Sequence, residues 1–90
     1  MILKTIDATS EAPVSDALIH YTASTIDVEG GDNTDFNGLI NCGNYPIGTK
    51  FTILAGKNGY DIRNDEISVG PSDQPIVIPL NPQVRIIHNS

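Results

Sequence analysis

Residues 33–40 read N33-T-D-F-N-G-L-I40, and two folds compete for them. The spacing Asn33-x-Asp35-x-Asn37-Gly38 copies the first half of an EF-hand loop, a calcium site held between two helices. The same residues also form a polar turn that delivers the chain into a strand. An EF-hand needs Asp at position 1 and a bidentate Glu at position 12. Here those positions hold Asn33 and Asn44, and Pro46 follows closely. The turn needs only what is present: Asp35 can accept backbone N–H groups two residues on, and Asn37-Gly38 reaches positive φ at little cost. The stretch is a turn, with Phe36 partly exposed or capping one end of a core.

Working outward, the rest of the chain reads as β-structure. Thirteen of the ninety residues are Ile, and β-branched side chains suit a pleated, half-buried surface. No window carries helical periodicity between caps, and Gly or Pro interrupts the chain at short intervals. Seven strands are expected, at 2–7, 17–23, 38–42, 50–56, 60–63, 66–69 and 76–80, with a loop at 24–34. Asn58-Gly59 reads as a hairpin-type turn. Period-2 alternation then assigns faces. Ala17, Ile19, Tyr21 and Ala23 point inward, as do Phe51, Ile53 and Ala55, and Ile76, Ile78 and Leu80. Leu18, His20, Thr52, Leu54 and Val77 are left outside, and Pro79 marks an edge strand or bulge.

Length and charge narrow the function classes. Ninety residues make one domain with one modest core, divided here into a sandwich over 1–82 and a tail or short extra strand over 83–90. With 39% apolar and 18% charged residues, the chain is too apolar for a disordered tail. A net charge of −6, with five scattered Lys and Arg, gives no basic stripe and argues against a nucleic-acid partner. No apolar run approaches the roughly 20 residues a membrane helix needs, so no membrane partner is expected. No positively charged segment leads into an apolar run at the start, so no signal peptide is expected. Cys42 is the only cysteine and reads as a buried thiol.

Five motifs in order then carry a family resemblance: P13-V-S-D-A-L-I19, T34-D-F-N-G-L-I40, Y45-P-I-G-T-K-F-T-I-L-A55, G59-Y60 and P75-I-V-I-P-L80. Over about residues 3–80 the chain resembles the carboxypeptidase regulatory-like, or transthyretin-like (prealbumin), β-sandwich family. The resemblance implies an all-β, seven-stranded Greek-key sandwich of transthyretin-like or Ig-like topology, with a short C-terminal extra strand or arm. It does not imply one function, because such sandwiches host many. The family's hydroxyisourate hydrolase branch implies a His near the start, an Arg and a terminal Tyr-Arg-Gly-Ser. This chain ends R85-I-I-H-N-S90 and has no His in its first strand. Related adhesin and pilus sandwiches imply a Lys–Asn isopeptide, for which Lys4 and Asn81 stand at the two ends. The acid it requires on the strand F51-T-I-L-A55 is missing.

Chemistry-bearing residues are few. His20, His88 and Cys42 show no partner at a defined spacing, and no Gly-x-Ser-x-Gly elbow occurs. No catalytic residue and no cofactor are therefore expected. Asp27, Glu29, Asp32 and Asp35 fall within nine residues and are the one candidate cation site, although a solvated acidic loop is the commoner outcome. What remains is surface: Leu18, His20, Leu54 and Val77 on outer faces, and Val84, Ile86 and Ile87 beyond the last core strand. Grouped apolar residues on so small a domain point to a protein partner or self-association. The expected function is a non-enzymatic structural or interaction module. Its setting would be a virion, as a phage capsid-decoration or tail-appendage protein, or an extracellular surface assembly. The alternative is a carbohydrate- or ligand-binding accessory domain excised from a larger secreted protein, with Tyr21, Tyr45 and Tyr60 as its candidate rings.

Overall fold

The computed structural model describes residues 1–72 and 74–83. The expected tail residues Val84, Ile86, Ile87 and His88 lie outside them. Among the described residues the fold is all-β, with seven strands: β1 (Ile2–Asp7), β2 (Leu18–Ala23), β3 (Val28–Asn33), β4 (Leu39–Asn41), β5 (Lys50–Gly56), β6 (Arg63–Ser68) and β7 (Ile76–Leu80). They form a three-stranded sheet in the order β4-β1-β7 and a four-stranded sheet in the order β3-β2-β5-β6. The chain changes sheet four times, after β1, β3, β4 and β6. Only β1 and β7 run parallel; every other pairing is antiparallel.

One apolar core lies between the sheets. Leu3, Ile40, Ile78 and Leu80 come from the three-stranded sheet, and Ile19, Ala23, Phe51, Ile53 and Ala55 from the other. Phe51 anchors it, with Tyr21 and Tyr45 edge-on to its ring at centroid distances of 6.2 and 4.8 Å. Each large side chain buried this way contributes about 1.5–3 kcal/mol from removal of apolar surface from water. The alternation along β5, where Phe51, Ile53 and Ala55 are buried and Thr52 and Leu54 exposed, is the expected one. It holds for β2 and β7 as well.

Two elements differ from the sequence reading. The stretch 24–34, expected as a loop, contains β3, whose V-E-G-G-D-N sequence has little intrinsic strand preference. Tertiary pairing overrides it: β3 registers with β2 at six positions, from Leu18↔Asn33 to Ala23↔Val28. Gly30 leaves room for the Tyr21 ring, which a Cβ there would push aside. The second difference is β6. Expected as two pieces broken at Asn64-Asp65, it is one strand registered with β5 from Lys50↔Ser68 to Ala55↔Arg63. Charged and polar side chains there belong to an edge strand, where they discourage pairing with other chains. Arg63 also ties the sheets together: its Nη1 donates to the Pro79 carbonyl at 3.2 Å, while Nε and Nη2 hold Asp65 Oδ2.

Candidate functional site

The antiparallel register of the four-stranded sheet lays out its outer face in rows. Leu18 pairs with Asn33 on one side and Gly56 on the other, and His20 pairs with Gly31 and Leu54. Leu18 and Leu54 are therefore diagonal neighbours on one face, within side-chain reach. Ile62 closes the row beside Gly56, whose Cβ position lies 3.6 Å from Ile62 Cγ1. Leu18 is 58% exposed, Leu54 44% and Ile62 75%, so three large aliphatics stand together in water. The bare glycines 31 and 56 keep this face low. His20 Nε2 sits 3.1 Å from Glu29 Oε1 at its border, an exposed pair that orients more than it stabilises.

At the end of this face the surface dips into a depression of about 540 Å³, with Leu18, Gly56 and Ile62 beside Asp16, Lys57 and Tyr60. The same end of the molecule carries the 35–38 turn. Asp35 Oδ1 accepts the N–H groups of Asn37 (2.8 Å) and Leu39 (2.9 Å), and the Gly38 N–H donates to the Asp35 carbonyl. Gly38 takes φ +75°, and a Cβ there would meet the Thr5 carbonyl at 2.4 Å, so the turn demands glycine. Buried hydroxyls anchor it beneath. Thr5 and Thr34 both donate to the Val14 carbonyl, at 2.8 and 3.0 Å, and Thr34 Oγ1 accepts the Ala17 N–H. Phe36, expected partly exposed or capping the core, instead projects at 84% exposure.

The remaining candidates are dispersed. Val77 lies in register with Lys4 on the outer face of the three-stranded sheet, away from Leu18, His20 and Leu54. Asp27 lies in the turn before β3, Glu29 and Asp32 on β3 and Asp35 beyond it, strung along a strand rather than converging. Glu29 is engaged by His20 and Asp35 by its own turn. No group of three or more potential metal-ligating side chains forms among the described residues. Lys4 is in register with Val77, four residues short of Asn81. Cys42 is buried, which pushes its thiol up to about 11. Every buried side-chain polar atom among the described residues has a partner, so none is left aimed at a ligand.

Of the three tyrosines, Tyr21 lies across Gly30. Tyr60 donates its hydroxyl to Asp7 Oδ2 at 2.8 Å. The Ser10 N–H, then the Tyr60 hydroxyl and the Thr9 N–H, hold the Asp7 carboxyl below its usual range, and the same bond raises Tyr60. Tyr45 lines a second groove of about 460 Å³ at the opposite end, with Asn41, Asn44, Ile47, Ser68 and Gln74. Ile62, Ile26 and Ile47 are exposed aliphatic residues that the sequence reading did not single out. Ile62 fell inside an expected strand, and its one signal was its place two residues after Tyr60 in that alternation. A scan of the chain against protein-family models finds no match, and a search of curated proteins finds none either.

Proposed function

We propose that the chain is a non-enzymatic interaction module of Greek-key, transthyretin-like topology that docks within a larger protein assembly, such as a virion or an extracellular surface structure. One observation carries the reading: Leu18, Leu54 and Ile62 form an exposed aliphatic patch on a sheet face whose opposite side is already a complete core. Exposed apolar area of this kind gains free energy only when a partner covers it. The four sheet changes along the chain support the Greek-key arrangement. Light scattering over a concentration series tests the function. An oligomer that dissociates in the Leu18→Ser/Leu54→Ser double variant, with its melting temperature kept, is the expected result. A monomer at every concentration would overturn the reading.

The second reading, a carbohydrate- or ligand-binding accessory domain, is favoured by the groove beside Tyr45, where amide and hydroxyl side chains surround one ring. Tyr45 itself donates to the Cys42 carbonyl and packs on Phe51, so Asn44→Ala is the cleaner probe. Glycan-array binding lost in Asn44→Ala would promote this reading; no binding by the wild-type chain would remove it.

A further inference from the structure

We infer that the partner filling the depression beside Leu18 is a second copy of this chain, and that the group filling it is Phe36. This rests on the interaction reading above and names its partner. Phe36 contributes nothing to the core, yet its turn is fixed by the two N–H bonds to Asp35 Oδ1, by the Gly38 N–H and by the Thr5 N–H bond to the Gly38 carbonyl. A large ring held out on a rigid turn is preorganised, so docking it orders little beyond the ring itself. Aromatic anchors of this kind, seated in desolvated pockets, dominate interface energetics.

The depression offers what such a ring needs. Leu18, Gly56 and Ile62 supply an apolar wall, and the absence of a side chain at Gly56 leaves room beside it. Charge is complementary at Lys57, while the one acid lining the depression, Asp16, is held by Asn33 Nδ2 at 2.8 Å. The Lys57 ammonium at the rim donates to the neutral Ser15 carbonyl, and no carboxylate among the described residues pairs with it. The Asp35 carboxylate sits next to Phe36 and would arrive opposite Lys57.

Ring and depression also share one end of the molecule. Thr34, two residues before Phe36, donates its N–H to the Ala17 carbonyl and accepts the Asp16 N–H, and Leu18 follows directly. Two copies meeting end to end therefore exchange both contacts at once. Such an isologous interface closes as a dimer and does not propagate into a filament.

Sedimentation equilibrium over a concentration series, with circular dichroism as a folding control, tests the inference. The wild-type chain is expected to dimerise. Phe36→Ala and Ile62→Asp are each expected to raise the dimer Kd by at least about 30-fold with the fold unchanged. Mixing these two variants restores association that neither shows alone, because one keeps the ring and the other keeps the depression. Lys57→Glu, which sets like charges opposite each other, weakens the dimer by about 10-fold. A wild-type monomer at every concentration overturns this inference and the interaction reading together. An oligomer that Leu18→Ser/Leu54→Ser dissociates, but that keeps its wild-type Kd in Phe36→Ala, overturns the inference alone. Failure of the two variants to complement each other also overturns it.

Discussion

The two faces of the four-stranded sheet are built from the same kinds of residue and put to opposite uses. On the inner face Ile19, Phe51 and Ile53 are fully buried. On the outer face Leu18 and Leu54, each adjacent in sequence to one of those residues, are 58% and 44% exposed beside Ile62. The inner side chains meet the three-stranded sheet, and the outer ones stand together partly in water. An aliphatic side chain thus reports nothing about its role by its chemistry alone. What lies across the face decides whether it is buried in the core or left in water.

Substitutions should separate the two faces by magnitude. Phe51→Ala is expected to cost the most, about 3–5 kcal/mol by denaturant titration, because it opens a cavity beneath Tyr21 and Tyr45. A loss under about 1 kcal/mol would mean the inner face is not where stability resides. Thr34→Val comes next, at about 1–3 kcal/mol, since valine leaves the buried Ala17 N–H without its acceptor. Leu54→Ser should change stability by no more than about 0.5 kcal/mol while lowering association. A large stability loss there would put Leu54 in the core's service and erase the contrast.

The smallest effect concerns pH. Asp7 is held below its ordinary carboxylate range by the Ser10 N–H, the Tyr60 hydroxyl and the Thr9 N–H. A depressed carboxyl contributes stability that is present above its unfolded value, near 3.9, and lost as pH falls through the folded one. Asp7→Asn should therefore flatten the acid limb of the stability–pH curve by lowering its neutral plateau slightly, leaving the acid end nearly unchanged. Thermal melts between neutral pH and pH 3 would check this, and an unchanged acid limb would count against the bond network.

Legibility in the sequence followed the strength of the local signal. The 33–40 turn was readable because Asp35, Asn37 and Gly38 act within a few residues of themselves: the side-chain cap and the positive φ are local facts. The faces of β2, β5 and β7 were readable because a period of two is enforced wherever one side is buried. β3 was not, because Gly30, Gly31, Asp32 and Asn33 carry no strand preference and borrow their geometry from β2. Of the surface candidates, Leu18, His20 and Leu54 fell on one face as alternation requires, but the register alone shows that Val77 belongs to a different sheet.

By itself, then, the sequence determined an all-β chain, its inward-facing residues and the turn at 35–38, since each depends on neighbours a few positions apart. Only the tertiary structure decided which strands pair, that Ile62 joins Leu18 and Leu54, and that Phe36 stands out in water. Those are relations between residues distant along the chain. Exposure and complementarity are properties of a surface, and no surface exists until the sheets have closed on their core.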